Sequence, residues 1–169
     1  TAGVDNIVGT SGNDTIIGGA GSAGGTSTLG AADVINGGAG TDTLQVSIEG
    51  TAATVSPNLT SVEIIKAQAL GTGGATVNMV NATGATALMN NNSTDALSFT
   101  NVQALAAVHL VKGDATKNTT VSFIDSLVAG TSDAVSVVLD DAKAATLSVA
   151  GTSAGGFETV NVTALAGKS

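Results

Sequence analysis

The sequence predicts an all-β chain, a solenoid or sandwich-like stack of short strands, and three observations carry that reading. Of 169 residues, 23 are Gly and one is Pro, so tight turns are many and rigid ones few. Hydrophobic residues make up 43%, yet there are only three Phe and no Tyr or Trp, which leaves burial to Val, Leu, Ile, Ala and Thr methyls. Short alternating runs separated by Gly, Asn, Asp and Ser recur at intervals of roughly 10 to 15 residues. Small β-branched side chains fill a thin layer between stacked strands better than the centre of a thick globule.

The first element is a repeat over residues 3–45. An Asp-x-aliphatic unit recurs behind glycine-rich turns as Asp5-Asn6-Ile7, Asp14-Thr15-Ile16, Asp33-Val34-Ile35 and Asp42-Thr43-Leu44. Two of the three intervals are nine residues, and the middle one becomes nine if Ala23 to Ala32 are set aside as an inserted loop with Gly18 to Ser22 leading into Asp33. Glycines at Gly9, Gly12, Gly19, Gly21, Gly38 and Gly40 let the backbone turn with positive φ and bring carbonyl oxygens inward. Asp5, Asp14, Asp33 and Asp42 add carboxylates, Asn13 an amide oxygen, and the aliphatic residue two places after each Asp points into the stack. Oxygen-only ligands on flexible turns select a hard cation of high coordination number, calcium before magnesium. Turns on one edge alternate, so the expected pairs are Asp5 with Asp33 and Asp14 with Asp42. The plainer account of any one such turn is an Asp that caps its own loop; four units in phase favour the ion.

The segment Gly37-Gly38-Ala39-Gly40-Thr41-Asp42-Thr43-Leu44-Gln45 resembles the glycine- and aspartate-rich nonapeptide of RTX proteins at every defined position, and Gly9-Thr10-Ser11-Gly12-Asn13-Asp14-Thr15-Ile16-Ile17 lacks only the second Gly. That resemblance implies a parallel β-roll in which each nonapeptide is a turn plus a short strand and two complete a coil. With the opening segment 1–10 and a phrase described below, it extends to RTX-type surface-layer and large adhesin proteins of bacteria. It implies bound Ca2+, a secreted protein of the bacterial cell surface, and association with copies of itself or with cell-surface polysaccharide.

Beyond Gln45 the aspartates leave the pattern, and strands are expected at 44–48, 62–67, 76–80, 86–89, 96–99, 107–111, 119–124, 134–139, 145–149 and 158–162. Short helical turns are expected only at 102–107 and 125–129. The organisation read from this is 1–45 as calcium-binding repeats and 46–169 as a β-rich solenoid or sandwich region, in one continuous body. A second phrase recurs as Ser61-Val62-Glu63-Ile64-Ile65-Lys66-Ala67 and Gly156-Phe157-Glu158-Thr159-Val160-Asn161-Val162, with an echo at Asn101 to Leu105. A turn, a buried residue, Glu or Gln and then a strand describe the corner of a coil.

Charge and composition set other functions aside. Ten Asp and three Glu face five Lys and no Arg, a net of −8, which repels phosphate backbones and argues against nucleic acid. Cysteine is absent, so disulfides and thiolate metal sites are excluded. No stretch has the length of a transmembrane helix, no membrane insertion is expected, and a chain opening on Thr1 without a visible signal peptide reads as a processed or excised segment.

Gly19-Ala20-Gly21-Ser22-Ala23-Gly24 formally fits a dinucleotide-binding glycine pattern, but no helical pattern follows it and it overlaps the repeat. The closing Ala-Gly-Lys-Ser lacks the first Gly of a phosphate-binding loop, because Val162 stands there. His109 is the sole histidine, without a nucleophile beside it, so no hydrolytic triad can be assembled and no catalytic residue is expected. The adjacent Asp140 and Asp141 diverge on a strand, and sequons such as Asn58-Leu59-Thr60 arise freely in an Asn- and Thr-rich chain. The sequence thus reads as a structural, self-assembling, calcium-stabilised protein and not an enzyme. A calcium-dependent adhesin module and the accessory secretion domain of an RTX enzyme are the alternatives.

Overall fold

The computed structural model describes residues 3–18, 28–153 and 155–165. Within them the strands are β1 (Asn6–Val8), β2 (Thr15–Gly18), β3 (Val34–Asn36), β4 (Thr43–Ile48), β5 (Thr51–Val55), β6 (Asn58–Thr60), β7 (Ile64–Ala69), β8 (Thr72–Asn78), β9 (Ala87–Asn91), β10 (Leu97–Val102), β11 (Ala107–Val111), β12 (Asn118–Phe123), β13 (Ala134–Asp140), β14 (Thr146–Gly151) and β15 (Thr159–Ala164). The only helical element among the described residues is a 3-10 turn, Asp125–Leu127.

These strands form three parallel sheets: β1-β3-β6, β5-β8-β10-β12-β14, and β2-β4-β7-β9-β11-β13-β15. Parallel neighbours need a crossover, and here each crossover is itself a strand of another sheet, so the chain winds as a solenoid. The N-terminal coils alternate between the first and third sheets, coils around β4 to β8 visit all three, and later coils alternate between the second and third. The seven-stranded sheet runs from the repeat region through to β15.

Period-two alternation sets which side chains enter the coil. In β7 the burial alternates residue by residue, with Ile65, Ala67 and Ala69 inside. In-register stacking then aligns one inward residue per coil: Ile16, Leu44, Ile65, Leu88, Val108, Val137 and Val162 lie in one column of the third sheet. Val55, Val77, Phe99, Val121 and Val149 form the facing column in the second. Ile7, Ile35, Leu59 and Ala82 make a third. Each fully buried Val, Leu or Ile contributes about 1.5 to 3 kcal/mol. Phe123 closes the core edge-to-face on Phe157, with ring centroids 5.2 Å apart.

The ten strands expected from residue 44 onward are all present, β11 with the expected bounds and the others with shifted ends, and β5 and β6 are additional there. Both elude periodicity: β5 is a Thr- and Ala-rich stretch in which only Val55 is fully buried, and β6 is three residues centred on Leu59 just after Pro57. Residues 125–127 form the expected helical turn, whereas 102–107 holds none. Val102 ends β10, Ala107 begins β11, and the buried Val102 and Ala106 turn the corner between them.

Candidate metal centre

The Asp-bearing turns stack in two columns, Asp5 with Asp33 leading into the first sheet and Asp14 with Asp42 leading into the third. Asp5 donates its backbone amide to Asp33 Oδ1 at 2.9 Å, and Asp14 donates its own to Asp42 Oδ1 at 2.7 Å. The two expected pairings are therefore neighbours in space, joined amide to carboxylate. The ladder continues through the carbonyls, since Val34 donates to Asp5 O and Thr43 to Asp14 O, both at 2.9 Å.

Two of the carboxylates also cap their own turns. Asp14 Oδ2 accepts from the amide of Thr10 at 2.6 Å and its hydroxyl at 3.0 Å, and Asp33 Oδ2 accepts from the amide of Gly30 at 2.6 Å. Self-capping thus accounts for Asp14 and Asp33. It does not account for Asp42, which is 0% exposed and whose Oδ2 has no hydrogen-bond partner. A buried carboxylate oxygen without a donor costs far more than an unpaired neutral acceptor.

Glycine is required here by close approach. A Cβ on Gly9 would run into the carbonyl oxygen of Gly37 and stand 2.8 Å from Asp14 Oδ2. A Cβ on Gly37 would run into the carbonyl oxygen of Ser61 and stand 2.5 Å from Asp42 Oδ2. In both places a carboxylate and a backbone carbonyl of the next coil converge where no side chain fits. Gly38 and Gly40 turn with φ of 99° and 122°, facing the carbonyls of Thr10 and Gly12. Neither Gly9 nor Gly12 has a positive φ, so the expected left-handed turn is absent at both; Gly9 is required by close approach alone, and Gly12 has no close neighbour either. Asn13 Oδ1 accepts the amide of Thr41 at 2.8 Å and ties the two turns together.

Gly19 and Gly21 lie outside the described residues. The turn into Asp33 is built by Gly30, Ala31 and Ala32, residues that the spacing argument assigned to the inserted loop; Gly30 holds the Asp33 carboxylate and Leu29 is buried beside it. The single Gly of this short Gly-x-x-Asp turn does not match the glycine-rich pattern, so the turn carries no repeat signal in the sequence.

A residue missed altogether as a site is Glu63. Its Oε2 accepts the amide of Asp42 at 2.8 Å, as Asp42 Oδ1 accepts that of Asp14. The recurring Val-Glu and Phe-Glu phrase was the available signal, for Glu158 Oε2 accepts the amide of Asp133 at 2.8 Å in the same way. Elsewhere, Asp125 binds the Thr152 and Ser153 hydroxyls and the Ser153 amide, a staple between coils. His109 stands in register between Met89 and Val138, and burial holds its pKa below the ordinary value.

Among the described residues no three His, Cys, Asp or Glu side chains cluster as metal ligands. An ion at these turns must draw on paired carboxylates and backbone carbonyls, a donor set of hard oxygens that fits calcium. Comparison with known families agrees: four copies of the RTX calcium-binding nonapeptide repeat match residues 1–22 and 28–45. The matched segments leave out 23–27 and include the Gly30 to Asp33 turn. No curated protein and no solved structure is significantly similar to the chain.

Proposed function

We propose, from the premise that residues 1–22 and 28–45 are RTX calcium-binding repeats, that the chain is a calcium-stiffened structural protein of a bacterial cell surface, secreted and self-assembling into a layer or filament. The observation that carries this reading is the outer face of β14 and β15. Val162 continues the column that is fully buried at Leu88, yet Val162 is 58% exposed, as is 50% of Val160. A groove of about 450 Å³, lined by Leu110, Val137, Leu139, Leu147, Val149 and Val162 among others, opens between the two strands. Among the described residues nothing pairs with the outer edges of β14 and β15.

An apolar groove flanked by two open parallel edges fits a further coil of the same geometry, which satisfies backbone and side chains together. Such a coil is supplied by a continuation of the same chain or by a second copy, whose β1 and β2 have, among the described residues, unpaired outer edges, and every ionisable side chain before Lys66 is acidic. Head-to-tail contacts of this kind are heterologous and propagate into fibres or lattices. A catalytic role has no support in a sequence with one His and no Cys. An adhesin that grips sugars on aromatic platforms is disfavoured, since Phe99 and Phe123 are buried and Phe157 packs on Phe123.

Electron microscopy of the purified chain in calcium and in chelator tests the proposal, with Val162→Asp as the edge variant. Ordered polymers in calcium, lost in Val162→Asp while its circular dichroism is unchanged, are expected. Monodisperse particles in calcium would overturn self-assembly and favour the adhesin or the secretion domain.

A further inference from the structure

The structure places a non-repeat corner where another calcium-binding turn would stand. Glu63 lies beyond the matched nonapeptides, yet its carboxylate takes the amide of Asp42 just as Asp42 takes that of Asp14 and Asp33 takes that of Asp5. The carbonyl of Ser61 lies against Gly37 as the carbonyl of Gly37 lies against Gly9. Ser61 reaches this position with a φ of 51°, where a non-glycine residue is uncommon.

The independent sign of a ligand is the orphaned oxygen. Asp42 Oδ2 is buried, has no donor, and crowds the same point beside Gly37 that the Ser61 carbonyl occupies. Two acceptors converging with no hydrogen between them repel each other unless a cation lies nearby. The neighbouring Glu63 adds a second negative charge, and no Lys or Arg precedes Lys66.

We infer that the ion array extends one coil past the nonapeptides: a calcium ion is shared between the Asp42 turn and the 60–63 corner, with Asp42 Oδ2, the Ser61 carbonyl and the Glu63 carboxylate among its oxygen donors. Binding moves Glu63 from the Asp42 amide onto the ion, and clamps the last repeat to the first coil of the downstream solenoid. This inference rests on the reading of residues 1–45 as calcium-binding. The Asp133 and Glu158 pair repeats the amide contact, but there Gly130 caps Asp133 Oδ2 at 2.8 Å and no buried oxygen is left without a donor. That corner is a staple and serves as an internal control.

Native mass spectrometry of the full chain titrated with calcium tests the assignment, using wild type, Glu63→Gln, Glu63→Asp and Glu158→Gln, each checked for unchanged circular dichroism. Glu63→Gln should bind one ion fewer than wild type. Glu63→Asp should keep the ion with weakened affinity, and Glu158→Gln should match wild type. A full complement of ions in Glu63→Gln would overturn the shared site while leaving the repeat sites standing. Loss of an ion in Glu158→Gln as well would overturn its specificity for the Asp42 corner. A wild-type chain that binds no calcium would overturn the underlying reading and this inference with it. If Glu63→Gln is misfolded, Glu63→Asp decides alone, since affinity equal to wild type would reject the carboxylate as a ligand.

Discussion

Asp42 Oδ1 accepts the backbone amide of Asp14 at 2.7 Å while Oδ2 of the same carboxylate is buried without a donor. Asp42→Asn therefore has two effects of opposite sign. In chelator it removes an uncompensated charge and raises stability by about 1 to 3 kcal/mol; in calcium it weakens binding by roughly tenfold or more. Asp95→Ala is the comparison, because Asp95 pairs with Lys117 at 3.2 Å and accepts the Gly73 amide at 3.1 Å, away from the repeat. Melting curves with and without calcium should separate the two variants. An equal calcium response in both would reduce Asp42 to a turn cap.

Gly37→Ala and Gly9→Ala should each destabilise the N-terminal coils by about 1 to 3 kcal/mol, since the added methyl meets backbone oxygen that cannot yield as a side chain end would. They should also lower calcium affinity, because the methyl enters the space between carboxylate and carbonyl. Gly12→Ala, whose Cβ would have only Thr10 Oγ1 near it at 3.8 Å, should stay within about 0.5 kcal/mol of wild type. Hydrogen exchange at the amides of Asp14 and Asp42 reads the local effect.

What the sequence disclosed follows the strength of local pattern. The alternation at 107–111 and 134–139 is strong enough to mark β11 and β13, and the phased Asp units place Asp14 beside Asp42, because stacking register follows from repeat length alone. β5 stayed hidden because its strand is imposed by pairing with β8 and not by its own Thr-Ala-Ala-Thr stretch. Glu63 was visible as a corner residue but not as a ligand candidate, since its partner, the Asp42 amide, lies 21 residues away and only the coil length brings them together. Gly30 falls within the segment that the nine-residue spacing treats as an insertion, because one glycine three places before Asp33 carries no repeat signature.

Core columns should respond to truncation by depth. Leu88→Ala, at 0% exposure between Ile65 and Val108, should cost about 2 to 5 kcal/mol. Val162→Ala, in the same column but 58% exposed, should cost under about 1 kcal/mol in the monomer. Under polymerising conditions the ranking should tighten, because a docked coil would bury Val162. Chemical denaturation of monomer and polymer distinguishes these cases, and a large monomer effect at Val162 would show that the β15 side chains are covered in solution.

His109 and the hydrogen-bonded Asp95, Asp114 and Asp125 make the fold sensitive to acid in different windows, and chelator keeps calcium linkage out of the measurement. Burial holds the folded pKa of His109 below its ordinary 6.5, so the unfolded chain takes up the proton first. Its contribution is fully present above pH 6.5 and is lost as pH falls from there through the folded value. Hydrogen bonds from the Ser153 hydroxyl and amide and the Thr152 hydroxyl lower Asp125 from 3.8 to about 2. That contribution is present above pH 3.8 and is lost as pH falls towards 2. The melting temperature of wild type should therefore decline in two steps on acidification. His109→Gln should abolish the upper step, and Asp125→Asn should reduce the lower one, to which Asp95 and Asp114 also contribute, while lowering stability at neutral pH. An upper step that survives in His109→Gln would assign it to another group and show that His109 titrates alike in the folded and unfolded chain.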